Sequence, residues 1–138
     1  MSKIIYDGSE AVFGRISSLI AKDLLKGNSV DLINCEKMII SGDKKLLAKK
    51  ILQKREMGSG GSMKGPKYPR TNEKLIKRMI RGMLPYDRVK GRDALRELRC
   101  YESNNKDFKI EDGVEVVKLN HRKPMKFASV EEIVGLLK

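Results

Sequence analysis

Lysine and arginine are the residues of this chain whose number and spacing point to a chemistry. Of 30 basic residues, 18 fall between residues 44 and 99, against only 5 acidic ones. Residues 1–43 carry 5 against 6, and residues 100–138 carry 7 against 7. The formal net charge of +12 therefore resides in the middle of the chain. A protein basic only for solubility would spread its lysines. One block of positive charge between near-neutral flanks marks a surface turned toward a polyanion, and nucleic acid is the polyanion that fits.

The block has three parts. Lys45, Lys49, Lys50, Lys54 and Arg55 share a helical pattern with Leu47, Ile51 and Leu52, and Glu56 is the only acid from residue 44 to residue 72. Like charges one helical turn apart cost about 0.2–0.5 kcal/mol per pair, a penalty that phosphates would remove. Lys64, Lys67 and Arg70 follow in a Gly- and Pro-rich stretch, where Tyr68 offers one aromatic ring to a splayed base or a ribose. Lys74, Lys77, Arg78 and Arg81 then recur on one side of a second helix, followed by Arg88, Lys90 and Arg92. Arg15 is the one candidate contact outside the block. Guanidinium forks suit phosphate and base edges better than a point charge does.

Other chemistries find little support. Gly58-Ser59-Gly60-Gly61-Ser62-Met63-Lys64-Gly65 invites a phosphate-loop reading, but a Walker loop needs Gly-Lys-Ser/Thr between a strand and a helix. Here Met63 precedes the lysine, Gly65-Pro66 follows it, and no apolar strand leads in. His121, the only histidine, sits beside Arg122 and Lys123 and reads as a solvated side chain. Cys35 and Cys100 lack metal-ligand spacing and read as small buried apolar residues in a reducing compartment. Asp7 and Asp43 end strand-like runs and read as turn and cap residues. We expect no catalytic residue, metal, cofactor or small-molecule substrate. No apolar run approaches the ~20 residues of a membrane span, and the first residues show no secretory leader.

The elements that position these side chains alternate. Ile4-Ile5-Tyr6 is a short strand, and Ile16, Leu19, Ile20 and Leu24 place one apolar stripe on a helix from about residue 14 to residue 26. Val30–Asn34 and Met38–Ser41 are strand-like, and Asp43 can cap a helix running to about Arg55. Residues 57–72 form a long loop. Leu75, Ile76, Met79, Ile80 and Met83 make a second stripe on a helix that Pro85 ends, and a short helix near residues 93–98 leads to a strand at Arg99-Cys100-Tyr101. Val114–Leu119 alternates weakly. Ser129-Val130-Glu131-Glu132 matches a capping box, with Val130, Ile133, Val134 and Leu137 as the inner face of a last helix. This succession predicts an α/β layer fold with a mostly parallel sheet, within a single domain spanning residues 1–138.

Several of these segments also carry a resemblance. Arg81-Gly82-Met83-Leu84-Pro85, followed by Gly91-Arg92-x-Ala94-Leu95-x-x-Leu98-x-x-Tyr101, resembles the large-subunit ribosomal protein thirteen family. So do Gly14-Arg15-Ile16-Ser17-Ser18 and Asn34-Cys35-Glu36-Lys37 with Ile40-Ser41-Gly42, while Gly65-Pro66-x-Tyr68-Pro69 and the closing Phe127–Ile133 resemble archaeal members. The chain departs at Glu102-Ser103-Asn104-Asn105, where the family often has Gly-x-Pro, and at Ser17, where it usually has Ala. The resemblance implies a three-layer α/β/α domain around a four-stranded, mainly parallel sheet with a long basic loop. It implies a structural constituent of the cytoplasmic ribosome that binds large-subunit ribosomal RNA, adjoins other large-subunit proteins and supports assembly. In that setting Arg81 faces RNA, Met83 and Leu84 pack inward and Gly82 permits close approach. The other readings are an RNA-binding translational regulator acting off the ribosome and a small α/β enzyme with a phosphorylated substrate.

Overall fold

A computed structural model describes residues 1–58, 60–105, 108–110 and 114–138. Ser59 of the glycine-rich stretch lies outside the described residues, as does part of the path between residues 102 and 126. The first strand, β1 (Lys3–Asp7), leads into helix α1 (Phe13–Leu25), and β2 (Ser29–Ile33) follows. A single 3-10 turn over Cys35–Lys37 brings the chain to β3 (Ile39–Ser41). Then come α2 (Lys44–Glu56), α3 (Asn72–Arg81), α4 (Val89–Arg96), β4 (Leu98–Cys100), β5 (Val116–Lys118), β6 (Phe127–Ser129) and α5 (Val130–Leu136).

Strands β4, β2, β1 and β5 pair in that order, all parallel, in an α/β arrangement with helices layered on the sheet. Their register sorts the side chains. Ile4 and Tyr6 of β1 lie beside Val30 and Leu32 of β2, which lie beside Leu98 and Cys100 of β4. With Val117 of β5, these residues form the sheet face that packs on α1 through Ile16, Ile20 and Leu24, on α3 through Leu75, Ile76 and Ile80, and on α4 through Ala94. The opposite face is mixed. Ile5 is fully buried there beside Asp31, which pairs with Lys3 at 3.4 Å.

Strand β3 does not join the parallel sheet. Residues 34–38 are too few for a parallel crossover, which takes a dozen or more. It pairs instead antiparallel with β6, a strand without a sequence signal. This ribbon sets α5 down on α2, where Ala48, Ala128 and Ile133 form a small second core. The two predicted caps are present: Asp43 accepts from the Lys45 N–H at 2.8 Å and Ser129 Oγ accepts from the Glu132 N–H at 3.2 Å. Helix α4 starts four residues before the predicted position, since Arg88, which precedes it, supplies no side-chain cap to announce it.

Candidate nucleic-acid interface

Helix α2 buries one residue, Ala48, and leaves Leu46 and Leu52 largely in solvent. Its apolar seam is narrow because α5 is the element that receives it, through Ala48, Leu47 and Ile51. The rest of its circumference is cationic: Lys45, Lys49, Lys50 and Lys54 are all exposed. None of them belongs to an ion pair found among the described residues.

The long loop that follows is anchored at its far end. Arg55 reaches from α2 and donates through Nη2 to the Pro69 carbonyl at 2.7 Å. Its guanidinium is pushed below the usual arginine range by burial and by the neighbouring Arg70. Arg55 and Arg70 open together onto a cavity of about 490 Å³ bounded also by Leu52, Glu56, Val134 and Leu137. Arg55 thus has a structural task in addition to its charge.

Tyr68 differs from expectation. It is half-buried against the main core, with the Arg78 guanidinium 4.3 Å and the Lys54 ammonium 5.6 Å from its ring centre. Burial and these two cations use the ring as a clamp between loop, α2 and α3, so it does not stand free as a stacking platform. Lys64, Lys67 and Arg70 are exposed around this anchor, and Lys67 donates to the Met63 carbonyl at 3.2 Å.

On α3 the predicted stripe holds for Leu75, Ile76 and Ile80, with Met79 half-buried. The cationic side is less uniform than the sequence suggests. Lys74 is exposed, while Lys77 is half-buried and its ammonium donates to the Leu98 carbonyl, tying α3 to β4. Arg81 lies over the Tyr86 ring at 4.7 Å. Arg88, Lys90 and Arg92 are exposed at the start of α4.

Two expectations for Arg81–Pro85 need correction. The helix ends at Arg81 and tightens, with the Met83 N–H donating to the Ile80 carbonyl at 2.9 Å. That turn carries Met83 off the stripe, leaving it 40% exposed, while Leu84 is buried. Gly82 is not the point of close approach, since an added Cβ would meet only the Met79 carbonyl at 3.4 Å. The tight contact is at Gly91, where a Cβ would fall 2.0 Å from the Pro85 oxygen.

Arg15 belongs to a different neighbourhood. It lines a cleft of about 420 Å³ with Val12, Ser41, Arg122, Lys123, Pro124 and Met125. Arg122 and Lys123 read as a plain turn in the sequence, and only the fold brings them to Arg15. Lys123 pairs with the exposed Glu10 at 3.2 Å. Tyr86 and Arg96 are also basic-surface residues that motif reading passes over.

The sites that could suggest catalysis are occupied structurally. Asp7 accepts from the Ser9 N–H and from Asn34 Nδ2, both at 2.9 Å, closing the turn after β1. A Cβ on Gly8 would come within 2.9 Å of Met38 and 3.0 Å of the Asn34 carbonyl, so the end of the sheet that could form a ligand crevice is filled. Burial pushes the Cys35 thiol up, and the Cys100 thiol up to about 12, so neither is a thiolate at neutral pH. His121 is half-buried rather than solvated, with its Nε2 buried and unpartnered among the described residues. Among the described residues, no three His, Cys, Asp or Glu side chains gather as a metal set, and no helix is long and apolar enough to cross a membrane.

Comparison with known proteins agrees with this surface. The family model described as Ribosomal protein L13 matches residues 2–107. The chain is 41% identical over 116 residues to the large ribosomal subunit protein uL13 of Archaeoglobus fulgidus, covering 80% of this chain and 73% of that protein. It is 35% identical to the uL13 of Methanosphaera stadtmanae over 136 residues, 95% of this chain and 96% of the relative. The uL13 of Methanocaldococcus jannaschii is 32% identical over 133 residues, with the same two shares. The match to the latter two continues past residue 107, through the segment where motif resemblance is thinnest. These are names of a structural component and not of a catalyst. This chain belongs to the ribosomal protein L13 family, as an archaeal-type member.

Proposed function

We propose that this protein is a structural constituent of the large ribosomal subunit that binds large-subunit ribosomal RNA through residues 44–99 and supports subunit assembly. It acts as one domain, in the cytoplasm, on the ribosome and beside other large-subunit proteins. The observation that carries this reading is the run of exposed lysines on α2, in no ion pair found among the described residues, next to a loop clamped by Arg55 and Tyr68. A free basic tail would lose much conformational entropy on binding. A loop fixed at its far end places Lys64, Lys67 and Arg70 beside α2 at lower cost.

Mechanistically, the ammonium and guanidinium groups neutralise phosphates of RNA segments that would otherwise repel one another. The folded domain fixes the spacing of those segments. Lys45, Lys49, Lys50, Lys54, Lys74, Arg88, Lys90 and Arg92 serve as direct phosphate contacts. Arg55, Tyr68, Lys77 and Arg78 hold the elements that present them. Arg15 adds a contact on the separate cleft.

The test is binding to a transcript of large-subunit ribosomal RNA across a salt series. Neutralising about ten phosphates gives a slope of log K against log salt near −9, and replacing Lys64, Lys67 and Arg70 with Ala should make it shallower by about 2–3. The variant should melt with the parent, because these three side chains are exposed. An unchanged slope would remove the loop from the interface.

A further inference from the structure

With Tyr68 committed to the clamp, Tyr86 is the other aromatic ring within the basic block of residues 44–99. Tyr86 is 42% exposed and belongs to neither core cluster. Its backbone is fixed in a tight turn. Its N–H donates to the Leu84 carbonyl at 2.8 Å, and the Arg88 N–H closes the same turn on Pro85 at 3.0 Å. Gly91 lets α4 lie against that turn: a Cβ there would stand 2.0 Å from the Pro85 oxygen and 3.0 Å from the Tyr86 nitrogen. The ring, with Arg81 stacked on it at 4.7 Å, borders a small cavity of about 170 Å³ shared with Lys77, Arg92, Leu95 and Arg96. Two acids are near in sequence: Asp87 is exposed beside it and Asp93 pairs with Arg96 at 3.1 Å.

At 42% exposed, Tyr86 forgoes a large share of the gain its full burial would bring. Ringed by cations, it has the two parts that single-stranded nucleic acid recognition needs: a flat face for a base and positive charge for the flanking phosphates. We propose that Tyr86 is the stacking platform for one unpaired base of the RNA, with Arg92 and Arg96 holding the adjoining phosphates. The inference rests on the RNA-binding reading and adds to it a site for a splayed nucleotide on an otherwise phosphate-directed surface.

The experiment compares the full chain with its Tyr86→Phe, Tyr86→Leu and Tyr86→Ala variants, binding a large-subunit ribosomal RNA transcript over a salt series, with melting curves alongside. One base–aromatic stack accounts for roughly 5- to 150-fold in affinity, so Tyr86→Ala and Tyr86→Leu should each lose that much. Tyr86→Phe, which keeps the flat ring, should bind like the parent. The salt slope should stay the same in all four proteins, because stacking releases no counterions. If Tyr86→Ala unfolds, Tyr86→Leu decides alone. Equal affinity of the Leu variant and the parent overturns the proposal and leaves RNA binding intact, as does a loss in Tyr86→Phe equal to that in Tyr86→Leu. Failure of the parent itself to bind overturns the RNA reading and this one with it.

Discussion

Replacing Gly91 with Ala should destabilise the protein, although Ala is ordinarily the better helix residue. Gly91 lies inside α4, where exchange to Ala contributes about 0.8–1 kcal/mol through backbone entropy. Against that gain stands a contact between backbone atoms. The new methyl would lie 2.0 Å from the Pro85 oxygen and 2.4 Å from its carbonyl carbon. No rotamer change relieves this, so α4 or the Pro85–Arg88 turn must move by about 1 Å or more, and overpacking of this kind costs typically 1–3 kcal/mol or more. The net expectation is a loss of up to about 2 kcal/mol. Gly14 is the matched control. It lies in the first turn of α1 with nothing within 4 Å of a Cβ, so Gly14→Ala should stabilise by about 0.5 kcal/mol. Urea unfolding of both variants, with the parent's m-value retained, measures the pair. Shifts of the same sign for both would refute the placement of α4 against the turn.

Other outcomes follow from single contacts. Ile80 is fully buried on α3, so Ile80→Asp should abolish folding, as an unpaired charge in the core costs a large part of the ~5–15 kcal/mol available to a domain. Lys77→Met, one turn away, should fold but lose about 1–3 kcal/mol, because the Leu98 carbonyl loses a charged donor; equal behaviour of the two in circular dichroism melts would misplace the helix. The Tyr6 hydroxyl donates to Asp23 at 2.6 Å, and that bond, with Lys26, holds the Asp23 carboxyl below the usual range. Its contribution is full above the ordinary carboxylate value near 4 and is lost as pH falls through the lowered folded value, so Asp23→Asn should flatten the acid limb of a stability profile. Burial and the same bond push the Tyr6 phenol up, so its contribution is full below about pH 10 and falls as pH rises further.

Periodic residues were the legible part of the fold. Ile16, Ile20 and Leu24 on α1, and Leu75, Ile76 and Ile80 on α3, sit where a 3.6-residue stripe puts them. Asp43 and Ser129 cap the helices that their positions announce. Strand β6 was illegible, because three residues give no period and its partner β3 lies some ninety residues earlier. The same limit applies to the interface. Charge counting finds exposed lysines such as Lys45 and Lys49, since solvent is their default. It cannot tell that Lys77 is spent on a carbonyl 21 residues away, or that Arg78 and Lys54 close over Tyr68. Met83 left its stripe because the last turn of α3 tightens, a backbone event with no signature in hydrophobicity.

The most direct test of a ribosomal role is sedimentation of an extract from the source organism on a sucrose gradient, with this chain followed by mass spectrometry. A resident ribosomal protein travels with the large subunit and stays there through a moderate salt wash. Recovery only in the light fractions would contradict that role, and would put a free RNA-binding regulator in its place.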